Sequence, residues 1–253
     1  MKGKIKEFVL GLGVDDVGIA SVGDYKSSRS QDLHGIFPGA KSLVVLACKE
    51  LSNCESENMQ IATGGRLDIL EFARSSNYRV ARFLERELKA KAMTVPPSYP
   101  LYMSYETKGT LGDISLRHAA IAAGLGNFGR HNLVIHPKMG SRVVFTAVIT
   151  NLDLTSDPPV TEKLCTDCNI CVENCPAHAL DEEGKTDDMK CLKISQPYGI
   201  GGAIRFWTKF AESTPEDQKK MVKDVNFWRL YQAGFIGFQY FCFNCTKSCP
   251  IGQ

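Results

Sequence analysis

Cysteine is the residue type whose spacing in this chain carries the most chemistry. Cys165, Cys168, Cys171 and Cys175 form a C-x2-C-x2-C-x3-C run closed by Pro176. In such a run the first three thiolates reach one [4Fe–4S] cube, and the fourth, displaced by the longer spacing, ligates a second. The remaining ligands lie further along the chain. Cys191, Cys242 and Cys245 are available, and Cys249-Pro250 mirrors Cys175-Pro176. The spacing therefore assigns Cys165, Cys168, Cys171 and Cys249 to one cube and Cys175, Cys191, Cys242 and Cys245 to the other. Two tetrahedral zinc sites would also use C-x2-C knuckles, but zinc has no need of four cysteines in a row ending in Cys-Pro. The expectation is an iron–sulfur protein that moves electrons.

Composition sets the setting for those clusters. The chain has 253 residues, 43% hydrophobic and 23% charged, with a formal charge of +2. That is enough chain to bury a proper core and to divide into a large and a small domain. No signal-peptide pattern and no apolar run of roughly 18 residues is present, so a cytoplasmic protein without a membrane partner is expected. Cys48 and Cys54 lie outside the cluster motifs and read as plain thiols in a reducing compartment. Two anionic clusters would cancel the small positive charge, which gives no support to broad nucleic-acid binding.

The elements that must position the cysteines follow from periodicity. Residues 4–11 read as a short amphipathic helix, and residues 17–22 and 42–48 as buried strands. Apolar residues recur at helical spacing from Leu67 to about Lys91, with Arg74, Arg79, Arg82, Arg86 and Lys89 on a solvated face. Pro96-Pro97 ends that segment. Residues 116–123 read as a helix ending at Gly124. The G-x-G-x-x-G pattern of Gly124, Gly126 and Gly129 then follows a helix and precedes a strand-like stretch at 132–136. A dinucleotide fingerprint needs the reverse order. The glycines indicate either a loop where backbone approaches something closely or a helix C-cap and turn. Residues 137–140 read as a hairpin turn into a strand at 142–150 that is apolar on both faces. Residues 156–160 read as a linker, with the cluster domain beginning near residue 161.

Between Cys191 and Cys242 lie 50 residues rich in aromatic side chains, among them Phe206, Trp207, Phe210, Phe227, Trp228, Tyr231, Phe235, Phe238, Tyr240 and Phe241. They read as an apolar jacket around the clusters, or as one wall of a cavity. Thr214-Pro215-Glu216-Asp217 is a helix start.

The order of motifs resembles the epoxyqueuosine reductase family, which is related to the reductive dehalogenases. The resemblance rests on residues 12–20, residues 37–46, Asn77-Tyr78-Arg79, the segment 123–129, Gly140-Ser141 and the two cluster motifs, and it covers nearly the whole chain. It implies an α+β fold: a nitroreductase-like α/β core over residues 1–160 and a ferredoxin-like two-cluster domain over 161–253, with a helical insertion at about 195–240. It also implies a base-off cobalamin, with Tyr78, Gly124, Leu125, Gly126, Gly129, Arg130, Gly140 and Ser141 as cofactor-binding candidates. A histidine ligand to cobalt is not expected, because Asp32-Leu33-His34 is followed by Phe37 where the Asp-x-His-x-x-Gly motif has glycine.

Two departures from that family shape the remaining expectations. The aspartate proton donor that the family carries before its glycine segment is missing, which leaves Glu106, or Tyr105 as the alternative, as the catalytic candidate. The chain stops at Gln253, so the helical-repeat tail that holds tRNA in many members is expected to be absent and tRNA to be an unlikely partner. A small-molecule or protein-bound substrate and an external low-potential donor of ferredoxin or flavodoxin type are expected instead. The competing reading is an electron carrier or reductive activator with no substrate site of its own. Against it stand the roughly 160 residues that precede the clusters.

Overall fold

The computed structural model describes residues 1–107, 109–237 and 240–252. Its centre is a four-stranded sheet in the order β1-β2-β6-β3, antiparallel throughout. The chain enters through helix α1 (Lys2–Leu10), strand β1 (Asp16–Ser21), the short helix α2 (Leu33–Ile36) and strand β2 (Ser42–Lys49). The long helix α3 (Met59–Glu87), edge strand β3 (Ala92–Val95) and helix α4 (Leu116–Ala122) follow. A small hairpin of β4 (Asn127–Phe128) and β5 (Val134–Ile135) leads into β6 (Val143–Thr150).

Both central strands are apolar on both faces because both faces are covered. On β2, Val44, Leu46 and Cys48 pack with Ile69, Val80 and Leu84 of α3 and Ile5 and Val9 of α1. The alternate residues Leu43, Val45 and Ala47 pack with Ala119 and Ala120 of α4 and Leu33 of α2. Successive side chains on a strand point to opposite faces, so one strand feeds two cores. Gly18 lets α4 press on β1: a Cβ there would stand 2.2 Å from the Ala123 carbonyl oxygen.

Residues 156–160 are a strap rather than a free linker. Ile19 N–H donates to Asp157 Oδ2 at 2.7 Å, Asp157 N–H donates to the Ile19 carbonyl at 2.8 Å, and Ser21 N–H donates to Ser156 Oγ at 2.7 Å. The open edge of β1 is thereby covered.

Among the described residues beyond 160 there are helices and loops but no strand: α5 (Ile170–Glu173), α6 (Asp188–Ser195), α7 (Ile200–Glu212), α8 (Pro215–Met221), α9 (Val225–Tyr231) and α10 (Asn244–Lys247). Thr214 caps α8 by accepting the Asp217 N–H at 3.2 Å. The chain then returns to the core, where Phe243 packs with Cys54 and Ala62 and Phe241 N–H donates to Thr63 Oγ1 at 3.2 Å.

Three expectations change. The long helix begins at Met59, capped by Asn58, instead of near Leu67. Residues 92–95 are an edge strand. The aromatic residues of α7 and α9 pack mainly edge-on against one another, with Trp207 and Trp228 exposed, and among the described residues they line neither cysteine chamber, whereas Phe241 lines a cavity with Cys242. Phe238 lies outside the described residues.

Candidate functional site

The loop after residue 164 curls tightly because Asp167 and Asn169 adopt left-handed backbone (φ 53° and 60°), which Asp and Asn tolerate better than most residues. This curl and α5 bring Cys165, Cys168 and Cys171 around one space, and Cys249 closes it after α10. Arg130 N–H donates to Cys165 Sγ at 3.4 Å. Burial, and then the facing Cys249, Cys165 and Cys168, push the Cys171 thiol up.

Cys175, Cys191, Cys242 and Cys245 line a second chamber of about 210 Å³. Asp187 caps α6 and so sets the position of Cys191, and Ala179 N–H donates to Cys175 Sγ at 3.5 Å. Burial, followed by Cys242 and Cys191, pushes the Cys245 thiol up to about 12. Four thiolates around one dry space repel each other, and a cationic core inverts that repulsion. Among the described residues no three His, Cys, Asp or Glu side chains meet the spacing of a single-ion site. The donor set fits a polynuclear iron–sulfur core in each chamber.

A larger cavity of about 380 Å³ shares Cys191, Arg117 and Asp188 with the second chamber. Its other walls come from residues 96–99 after β3, residues 109–112, and Ser115 and Leu116 at the start of α4. An adjoining cavity of about 320 Å³ meets it at Pro96, Ser98, Gly112 and Ile114. Arg29 pairs with Asp188 at the rim. Arg117 donates to the Asn132 carbonyl at 2.6 Å, and burial lowers its pKa. The phenol of Tyr99 lines the cavity and accepts from Gln196 Nε2 at 3.2 Å. Sequence reasoning missed Tyr99, whose only local signal is its place in a proline-rich turn.

Glu106 and Tyr105 lie elsewhere. Tyr105 is 95% exposed, and Glu106 sits on a surface turn where the Ser104 hydroxyl donates to it at 2.7 Å and holds its carboxyl below the usual range. Neither lines a described cavity; Lys108 lies outside the described residues. Tyr78 is 64% exposed on α3, and His34 is exposed on α2.

The chain itself lies against the candidate cofactor-binding glycines. Gly124 (φ +71°) ends α4, with its own N–H donating to Ile121 and the Leu125 N–H to Ala120, a Schellman cap. A Cβ on Gly126 (φ +153°) would stand 2.1 Å from the Ile135 carbonyl oxygen, and one on Gly140 (φ +60°) 1.7 Å from that of Ile251. Leu125 is core. Arg130 reaches the Asp181 and Glu182 carbonyls, and Ser141 Oγ donates to the Thr246 carbonyl at 3.0 Å. At Gly126 and Gly140 the close approach that glycine permits is made by the chain's own backbone.

No family model matches the chain. An epoxyqueuosine reductase of Bacillus cereus is 29% identical over 94% of this chain and 61% of its own length, so the chain spans about three fifths of that relative. An epoxyqueuosine reductase solved with an epoxyqueuosine-modified tRNA-Tyr stem loop has the same fold, with a TM-score of 0.62 and 17% identity over 99% of this chain and 65% of that one. The expectation that tRNA is an unlikely partner is corrected by that complex: a protein of this fold accommodates a tRNA stem loop. A reductive dehalogenase, NpRdhA, solved with 3-bromo-4-hydroxybenzoic acid, matches with a TM-score of 0.63 and 17% identity over 98% of this chain and 31% of that one. Among the described residues no helix is long and apolar enough to cross a membrane. The chain is similar in sequence to epoxyqueuosine reductases along nearly its whole length, and has the mixed α/β fold of those enzymes and of the reductive dehalogenases.

Proposed function

We propose that the protein is an oxidoreductase in which residues 161–253 deliver electrons to a substrate-facing core formed by residues 1–160. Cys165, Cys168, Cys171 and Cys249 would hold one [4Fe–4S] cluster, Cys175, Cys191, Cys242 and Cys245 the other, and the two adjoining cavities a base-off corrinoid. When bound, these groups supply single-electron transfer and the difficult bond-breaking chemistry. The observation that carries this reading is that Cys191 belongs to the wall of both the second cysteine chamber and the 380 Å³ cavity.

The chain's own side chains supply the rest. Arg29 and Arg117 present guanidiniums to anionic groups on whatever enters, and Asp188 orients Arg29. Gln196 positions the Tyr99 phenol, which faces the cavity as the proton donor. The walls at Pro96, Pro97, Leu101 and Ile114 exclude water. An external low-potential protein donor would reload the electrons.

The test is anaerobic reconstitution followed by a corrinoid titration read in the visible spectrum. About eight irons per chain and a stoichiometric spectral change support the proposal. Full iron with no corrinoid binding would return the protein to the class of electron carriers. An epoxyqueuosine-modified tRNA stem loop is the first substrate to assay.

A further inference from the structure

His131 is 3% exposed and lines both cysteine chambers, standing between the two quartets. Its Nδ1 accepts the Leu133 N–H at 3.1 Å. In the neutral imidazole an accepting Nδ1 leaves the proton on Nε2. Nε2 is buried and has no hydrogen-bond partner among the described residues. A buried donor without a partner costs about 1–3 kcal/mol, so an N–H this enclosed calls for an acceptor that the described residues do not provide. The clusters proposed for these chambers would present sulfur to it.

The ring is held there by its neighbours. Gly129 provides the room, since a Cβ at that position would stand 2.7 Å from His131 Cε1. The next residue, Arg130, sends its backbone N–H to Cys165 Sγ. The last glycine of the G-x-G-x-x-G pattern thus serves the imidazole.

Resting on the cluster reading above, we infer that His131 donates an Nε2–H···S hydrogen bond to an iron–sulfur cluster and raises its reduction potential. A donor to cluster sulfur favours the more negative, reduced state. Burial pushes the pKa of the ring down to about 4.

Potentiometric titration followed by EPR, with iron counted in each sample, tests this on the wild type, His131→Leu and His131→Gln. Leu removes the donor; Gln keeps an N–H at about the same reach. With iron full in all three, the reduced fraction of one cluster at fixed poise should fall about tenfold in His131→Leu, about 59 mV for one electron, and recover in His131→Gln. Equal potentials at full iron would overturn the inference while leaving the cluster assignment standing. Should His131→Leu fail to assemble, pulsed EPR of reduced wild type labelled with 15N-histidine decides: a coupled imidazole nitrogen supports the bond, and its absence overturns it. Wild type without iron would instead overturn the cluster reading, and the inference with it.

Discussion

Arg142 and Cys249 are joined directly: the Arg142 Nη1–H donates to the Cys249 carbonyl across 3.2 Å, from a residue only 5% exposed. The same guanidinium donates to the Lys247 carbonyl at 2.9 Å and to Glu55 at 3.1 Å. One side chain on the core therefore holds the last turn of α10 and the final cysteine of the first quartet. Arg142→Met removes a donor from the buried Cys249 carbonyl and from the part-buried Lys247 carbonyl, where a buried group left unsatisfied costs about 1–3 kcal/mol. The expected result is loss of the first cluster with retention of the second, read as a fall to about four irons and one surviving EPR signal. Full iron content would show that Cys249 holds its place without the clamp.

Gly126 and Gly140 make a second prediction, on folding. Both have positive φ and both meet a backbone carbonyl where a Cβ would stand. Gly126→Val combines backbone strain of about 1–2 kcal/mol with overpacking of about 1–3 kcal/mol. At about 2–4 °C per kcal/mol for a chain of this size, the apparent Tm should fall by about 5–15 °C in apoprotein. A variant that keeps its Tm and loses only cofactor affinity would restore the loop to a cofactor-binding role.

The central strands were the most legible part of the sequence, and for a physical reason. β2 carries six consecutive apolar residues, Leu43–Cys48, and β6 is apolar except at Thr146 and Thr150. The edge strand β3 was hidden because it is four residues long and only Val95 is buried. The start of α3 was hidden by Gly64 and Gly65. Gly65 is there because a Cβ would stand 2.3 Å from Asn53 Cβ, a contact the sequence does not announce. His131 carries no motif; it lies between two chambers built by residues up to 120 positions away, from His131 to Ile251. Tyr99 likewise gains meaning only when α6 is laid beside it.

The acid limb of stability should depend on Asp16. Its carboxylate is held below the ordinary value of 3.8, chiefly by the hydrogen bond with His136 Nε2 at 3.1 Å, and it also accepts the Val17 N–H at 2.7 Å. A carboxyl whose folded pKa lies below its unfolded value stabilises the fold fully above about 3.8, and that contribution disappears as pH falls through the lowered value. Wild type should therefore exceed Asp16→Asn in urea midpoint at pH 6, with the gap closing below pH 4. A gap that stayed constant with pH would mean that packing, and not the charge, is what Asp16 supplies.

The proton donor separates Tyr99 from Glu106. Glu106 is exposed, and its carboxyl is kept ionised by Ser104, so near neutrality it has no proton to give. Tyr99 lines the cavity that borders Cys191. General acid assistance contributes about 10² to 10⁴ in rate. Tyr99→Phe should therefore lose about that factor in kcat while keeping iron content, cluster EPR and corrinoid stoichiometry. Gln196→Leu should lose less, because it only orients the phenol. Glu106→Gln should keep full turnover. The reverse pattern, with Glu106→Gln inactive and Tyr99→Phe active, would require the surface turn that carries Glu106 to swing into the cavity during the reaction, and would return the catalytic role to the carboxylate.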